Sequence, residues 1–196
     1  MIYLLMGKSG SGKTKLIQSL SASNPNITRV KTYTTRPQRN EADDEYVFVD
    51  KLTFEYMQMT NQMVCVRTFT IIKDGKPNSY YYGIRKSDLD INKDQFLILD
   101  FKGYIDLLDL YKNRITAFYI YAPENILADR LRQREGYDEG ELRRRLKADN
   151  SDFDMDLMIE IGTKNQLFFI NNEFDEQIAF KTIQDTITKK GQVNND

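Results

Sequence analysis

Histidine is absent from the 196 residues, and cysteine occurs once, as Cys65. Without histidine, the Ser-His and Cys-His nucleophile schemes and every His-ligated metal site are excluded. A single thiol excludes an intramolecular disulfide framework and fits a reducing compartment. An excess of charge of one sign is also lacking: 28 Lys and Arg stand against 29 Asp and Glu, a net charge of −1. That balance speaks against a net-basic nucleic-acid binder and against an acidic disordered tail. No apolar run approaches the roughly 18 residues of a membrane span. The apolar start, Met1 to Met6, ends at Gly7-Lys8-Ser9-Gly10, too short for the core of a signal peptide. The expectation is a soluble, cytoplasmic chain that binds neither nucleic acid nor membrane.

What is present supports one packed domain, or one domain with a small mobile insert. Apolar residues make up 40% of the chain and aromatics 12%, mostly 12 Tyr and 11 Phe, enough to build a core. Any chemistry rests on Lys, Arg, Tyr, carboxylates or backbone amides. Short apolar runs alternate with amphipathic stretches. Ile2–Met6, Ile27–Lys31, Tyr46–Val49, Met63–Ile72, Tyr80–Tyr82, Phe96–Asp100, Ile115–Tyr121 and Leu167–Ile170 read as strands. Lys13–Leu20, a helix capped by Asp50 and running to about Met59, and a stretch marked by Ile105, Leu108 and Tyr111 read as helices. So do Glu124–Arg134, Asp138–Asp149 and a final segment marked by Phe174, Ile178, Ile183 and Ile187. Thr32–Glu45 reads as a loop, Asp74-Gly75 as a hairpin turn and Ser87 as the cap of a short helix. Strands separated by helices predict an α/β sandwich with a largely parallel central sheet, interrupted between Tyr46 and about Tyr82 by a mixed β insert. Gly191–Asp196 reads as a frayed tail.

The strongest motif is Gly7-Lys8-Ser9-Gly10-Ser11-Gly12-Lys13-Thr14, a G-x-x-x-x-G-K-[ST] run between a buried strand and a helix. Its glycines let the backbone curl until successive N–H groups face phosphate oxygens, and the helix start adds partial positive charge. Lys13 can reach β- and γ-phosphates, and the Thr14 hydroxyl can ligate Mg²⁺. The bland reading is a glycine-rich turn, which the strand-loop-helix setting disfavours. Next come Arg36 and Arg39, three apart, and Tyr46. Two guanidinium forks suit a phosphate dianion, although a solvated loop would carry the same residues. Six of the 12 arginines fall between Arg130 and Arg145, with Arg130 and Arg134 at helical spacing. They suit mobile cations that meet transferring phosphate, or a salt-bridged, solvated helix pair.

The ordered set resembles the guanylate kinase family over about 180 residues: the phosphate loop, Thr34-Thr35-Arg36…Arg39, Tyr46-Val47-Phe48-Val49, Tyr81-Tyr82-Gly83, Asp100-Phe101-Lys102-Gly103, Pro123 with Arg130-Leu131-Arg132-Gln133-Arg134, Arg145-Leu146 and Ile170-Asn171-Asn172. The resemblance implies ATP-dependent phosphoryl transfer to a nucleoside monophosphate, most directly GMP, with Mg²⁺. Gly7, Ser9, Gly10, Ser11, Gly12, Lys13 and Thr14 would hold the ATP phosphates, Thr14 the metal, and Asn171 would lie near adenine. Thr32, Arg36, Arg39, Tyr46 and Tyr82 would line the acceptor site, with Asp100 at the reaction centre or base. Arg130, Arg134 and Arg145 would belong to a lid. The implied division of residues 1–190 is a core (1–31, 84–122, 163–190), an acceptor insert (about 32–83) and a lid (about 123–150), ahead of a tail at 191–196.

The chain also departs from the family. Cys65 stands where a guanine-reading Glu is expected, and Ile84 where a Ser or Thr is expected. Ile98 replaces a carboxylate, Arg39 to Tyr46 is about two residues short, and about Ile71 to Asn78 is added. These changes fall on base recognition and predict weaker guanine discrimination, through Cys65 and Ile84 as poorer base contacts. They keep open another nucleotide or a phosphorylated sugar as acceptor, and a binding module without catalysis, although the complete phosphate loop argues against the latter.

Overall fold

The computed structural model describes residues 1–38, 45–73, 76–133 and 139–193. Its frame is a five-stranded sheet: β1 (Ile2–Met6), β2 (Thr28–Arg29), β7 (Gln95–Ile98), β8 (Ile115–Tyr121) and β9 (Leu167–Asn171), in the order β2-β7-β1-β8-β9. Every pairing in it is parallel. Both faces are covered, so β1 is buried at all five positions and reads as a continuous apolar run. Side chains still alternate by face. Tyr3, Leu5, Phe96, Phe118 and Ile120 pack with α1 (Lys13–Ser23) and α7 (Glu176–Val193). Ile2, Leu4, Met6, Leu97 and Tyr119 pack with α3 (Phe101–Tyr111) and α6 (Met155–Lys164). The result is the expected α/β/α sandwich. Leu16, Ile17 and Leu20 of α1 are fully buried, a stripe at helical spacing worth about 1.5–3 kcal/mol per side chain.

A second sheet stands on this frame in the order β4-β3-β6-β5: β3 (Thr32–Thr34), β4 (Tyr46–Phe48), β5 (Met63–Lys73) and β6 (Lys76–Arg85). β3 runs parallel to β4 and antiparallel to β6, and β5–β6 is an antiparallel hairpin, so the mixed β insert is present. Helix α2 (Lys51–Met59) covers one face through Phe54 and Met57. Asp50 caps it, its Oδ1 accepting from Thr53 N at 2.8 Å. The added stretch forms the outer hairpin, where Ile71 opposes Asn78. The expected Asp74-Gly75 turn lies outside the described residues.

Several expectations need correction. Thr32–Thr34 is a strand and not loop, because antiparallel pairing to Tyr82 and Gly83 supplies partners that its polar sequence does not announce. Ser87 lies inside a 3₁₀ turn, Lys86–Asp88, and does not cap a helix. Helix α6 was not expected: Asp154 caps it, accepting from Asp156 N and Leu157 N, and Met158 anchors it to the core. Phe174 and Ile178 are 87% and 64% exposed, so the buried stripe of α7 is Ala179, Ile183 and Ile187 instead. The paired charged helices stand as α4 (Glu124–Arg132) and α5 (Glu139–Asp152).

Candidate active site

The C-terminal edge of the parallel sheet collects the site, as open α/β sheets do. β1 ends in the phosphate loop and α1 begins at Lys13. β7 lies beside β1 with Ile98 opposite Leu5, so Asp100 follows the sheet edge next to the loop. Two glycines make the loop possible. A Cβ on Gly7 would sit 2.2 Å from the Ile120 carbonyl oxygen, so only glycine lets the chain turn this close to β8. Gly12 has φ +94°, and its Cβ would sit 2.4 Å from Asn172 Nδ2. The Lys13 ammonium lies over the loop, donating to the Gly7 and Lys8 carbonyls at 2.7 and 3.0 Å. Ser9, Gly10, Ser11 and Thr14 complete the turn, with Ser11 fully buried. The first-turn amides of α1 have no acceptor within the helix, the arrangement by which a helix start can take an anion.

Behind the loop the structure places Asn172, not Asn171. Asn172 is buried, and its Nδ2 donates to the Ser11 carbonyl at 2.8 Å. Asn171 points outward, and its Oδ1 accepts from Glu173 N. Strand alternation decides this, since one of two adjacent asparagines at the end of β9 must face inward. Arg130 donates from Nη2 to the carbonyls of Asn172 and Glu173 at 2.8 and 3.1 Å, which ties α4 to this edge. Arg130 Nη1 and Asn172 Oδ1 are buried without a hydrogen-bond partner among the described residues. Arg145 is half-buried on α5, and Arg134 lies outside the described residues.

Helix α5 also reaches the phosphate loop through residues that sequence reading passed over. Asp149 Oδ2 accepts from Ser9 N at 2.6 Å, and Lys8 Nζ donates to Asn150 Oδ1. Asp152, on the same helix, has its carboxyl pushed above the usual range by burial, with Asp100 and Asp149 adding to the effect. No local sequence signal marks Asp149, because its role depends on where α5 docks.

The second sheet gathers the expected acceptor residues. Thr32 opposes Tyr46 across β3–β4, and Thr34 opposes Tyr82 across β3–β6. Arg36 is 8% exposed. Its guanidinium lies over the Tyr46 and Phe48 rings, with centroids 5.0 and 5.3 Å away. Tyr82 meets Tyr46 edge-on at 6.0 Å. Thr32, Arg36, Tyr46 and Tyr82 therefore share one surface; Arg39 lies outside the described residues.

Cys65 and Ile84 are the correction here. Both belong to the core cluster under α3, at 5% and 0% exposure, and neither lines an open surface. The reason is a bulge: Val64 opposes Ile84 but Arg67 opposes Tyr82, so β5 carries one extra residue. Cys65 sits in it with φ +52° and its Sγ lies 3.6 Å from the Gly103 carbonyl. Burial pushes its thiol up to about 12. Asp100 caps α3, its Oδ1 accepting from Gly103 N at 2.6 Å. Arg67 reaches it, with Nε 3.3 Å from Asp100 Oδ1. Arg67 too was missed, because the bulge just before it breaks the strand's two-residue alternation. A separate cavity of about 430 Å³ opens beside Lys8, lined by Tyr119, Tyr121, Ala122, Leu127, Met155 and Phe169.

No helix among the described residues is long and apolar enough to cross a membrane. The guanylate kinase family model matches residues 1–190. The guanylate kinase of Methylococcus capsulatus is 28% identical over 154 residues, covering 76% of this chain and 72% of that one. That of Carboxydothermus hydrogenoformans is 31% identical over 148 residues, covering 72% and 68%. The crystal structure of guanylate kinase from Anaplasma phagocytophilum matches with a TM-score of 0.61 at 18% identity, over 96% of this chain and 85% of that one, a likeness that carries the fold.

Proposed function

Because the chain belongs to the guanylate kinase family, we infer that it transfers the γ-phosphoryl group of ATP to GMP, giving ADP and GDP. The observation that carries this reading is the pairing of a complete phosphate loop at the sheet edge with a second sheet that presents Arg36, Tyr46 and Tyr82 together. One surface suits the phosphates of a donor and the other the phosphate of an acceptor. Phosphoryl transfer asks for positioning and charge stabilisation and little proton chemistry, which suits a chain without histidine.

In this reading the loop amides and Lys13 hold the β- and γ-phosphates. Lys13 exchanges its bonds to the Gly7 and Lys8 carbonyls for phosphate oxygens. Arg36 binds the acceptor phosphate with Arg39, and Tyr46 and Tyr82 add neutral hydroxyl donors. Thr32 lines this site and Asp100 faces the base. Arg130, Arg134 and Arg145 meet charge that spreads over the transferring group. The buried, unpartnered Nη1 of Arg130 fits a ligand oxygen there. Closure of α4 and α5 over the loop would exclude water from the transfer.

The residues present fit Mg²⁺ that arrives with ATP. No group of three or more metal-ligating side chains lies together among the described residues, and Mg²⁺ is commonly held by a few protein oxygens plus substrate phosphates. The Thr14 hydroxyl, in the first turn of α1, would hold it. When bound it neutralises phosphate charge. The single thiol suits a reducing compartment, and we assign the activity to the cytoplasm. The test is a coupled assay of ADP release with GMP, AMP, CMP, UMP and a few sugar phosphates. GMP is the expected acceptor, and ADP release without dependence on any acceptor would overturn the reading.

A further inference from the structure

One half-buried cation, between the second sheet and α3, has no part in the reading so far. Arg67 projects from β5 beyond the bulge, and its guanidinium spans to α3. Nε lies 3.3 Å from Asp100 Oδ1, Nη2 lies 3.0 Å from Asp106 Oδ2, and Nη1 donates to the Val66 carbonyl at 2.7 Å. A guanidinium has five N–H groups. The contacts use three, which leaves one on Nη1 and one on Nη2 without a partner among the described residues. Asp100 is asymmetric in the same way. Its Oδ1 takes both Gly103 N and Arg67 Nε, while its Oδ2 accepts no hydrogen bond among the described residues. Neither side chain is sealed: Arg67 is 14% exposed and Asp100 20%.

We propose that Arg67 and Asp100 form the base-reading pair of the acceptor site, Arg67 donating to guanine O6 and N7 and Asp100 accepting from N1–H. The proposal rests on the GMP reading above. Guanine offers acceptors at N7 and O6, and next to them a donor at N1. A spare guanidinium fork beside a spare carboxylate oxygen mirrors that sequence of groups, and an arginine facing O6 and N7 is the commonest specific contact to guanine. Adenine reverses two of the three positions. Its 6-amino group would face the cation, and its N1 lone pair would face the carboxylate. Discrimination then comes from groups left unpaired or opposed with the wrong base. The withdrawal of Cys65 into the core removes it from this role, and beyond the bulge that buries it Arg67 reaches Asp100.

The test measures kcat/KM for GMP, AMP and 7-deaza-GMP, which lacks the N7 acceptor, in wild type, Arg67→Met and Arg67→Lys. A charge-assisted bond corresponds to about 10- to 100-fold. Wild type is expected to prefer GMP over 7-deaza-GMP by about tenfold, and Arg67→Met to lose that preference. Arg67→Met should cut the GMP-to-AMP ratio by about 10- to 100-fold through KM for the acceptor, with KM for ATP unchanged. Arg67→Lys should recover only part, because one ammonium does not reproduce the fork. An unchanged GMP-to-AMP ratio in a variant with wild-type melting temperature overturns the proposal. So does equal use of GMP and 7-deaza-GMP by wild type, an arm that needs no variant to fold. Failure of the underlying reading looks different: wild type would turn over no GMP at all.

Discussion

Replacing Asp149 with alanine is expected to tighten ATP binding. The Asp149 carboxylate accepts from the Ser9 amide at 2.6 Å, so a side-chain anion covers one of the loop groups suited to phosphate. Two like charges about 4 Å apart repel by roughly 4 kcal/mol near a protein surface, so ATP must displace this carboxylate. A charge-assisted hydrogen bond is worth about 1.5–3 kcal/mol when well buried. This one is half-buried, and solvent lowers the working figure to about 1–1.5 kcal/mol. The second tie, Lys8 Nζ to Asn150 Oδ1, is exposed and adds little. The apparent Kd is the intrinsic Kd divided by the fraction of chains with the loop uncovered. A latch of that size sets the fraction at roughly one-sixth to one-fourteenth, so its removal should tighten binding about 5- to 15-fold. Asp149→Asn keeps an acceptor without the charge and should fall between. Calorimetric titration of a non-hydrolysable ATP analogue with Mg²⁺ measures this. Unchanged or weaker binding by Asp149→Ala would refute the reasoning.

Lys13→Ala should lower kcat at least about 100-fold, as loss of one transition-state donor does, while the melting temperature holds, because Lys13 Nζ donates to the Gly7 and Lys8 carbonyls of the loop and takes no place in the apolar core; turnover within tenfold of wild type rejects the assignment. Arg36→Ala should raise KM for GMP about 10- to 100-fold and leave KM for ATP alone, and equal loss of both would place Arg36 outside the acceptor site. Cys65, 5% exposed with its thiol pushed up to about 12, should resist iodoacetamide at pH 8, where only about 1 thiol in 10⁴ is ionised; rapid alkylation of the folded chain would contradict its place in the core. Burial also raises Tyr3, Tyr104 and Tyr119 to about 12. Between about pH 9 and 12 the native chain therefore holds more protons than the unfolded one, and stability should fall as pH rises through that window. Melting temperatures flat from pH 8.5 to 11 would contradict it.

The frame was legible because it is written locally. Ile2–Met6 is apolar at every position because both its faces are covered, and Lys13 to Leu20 carries its buried stripe at helical spacing. The phosphate loop is legible for the same reason: strand, turn, lysine and helix are consecutive in sequence, and the two glycines that approach Ile120 and Asn172 most closely are motif positions. Helix α6 escaped notice because its apolar residues are split between the core and solvent. Met158 is fully buried, but Met155, Leu157 and Ile159 are 42%, 43% and 52% exposed. Thr32–Thr34 escaped because its partner, β6, lies about fifty residues away and supplies the pairing that propensity does not.

Base reading was hardest to see, for a reason that separates it from phosphate handling. Phosphate binding uses backbone amides and lysine in one continuous turn, so sequence order preserves its geometry. Base reading depends on which side chains of β5 face α3, and strand register controls that. One inserted residue reverses which face every later side chain takes. A bulge between Val64 and Arg67 is such an insertion, and its backbone signature, φ +52° at Cys65, falls on a residue with no glycine-like tolerance to advertise it. Matching positions along the sequence to the family therefore assigns the contact to Cys65, while the fold brings Arg67 to Asp100. The same logic explains why the losses at Cys65 and Ile84 do not imply an unread base. Cys65 and Ile84 became core together, packed against α3, while Arg67, two residues further along the strand, reaches Asp100. A site can therefore keep its preference while both of the residues expected to carry it turn apolar, provided that a cation and a carboxylate remain with donor and acceptor capacity to spare.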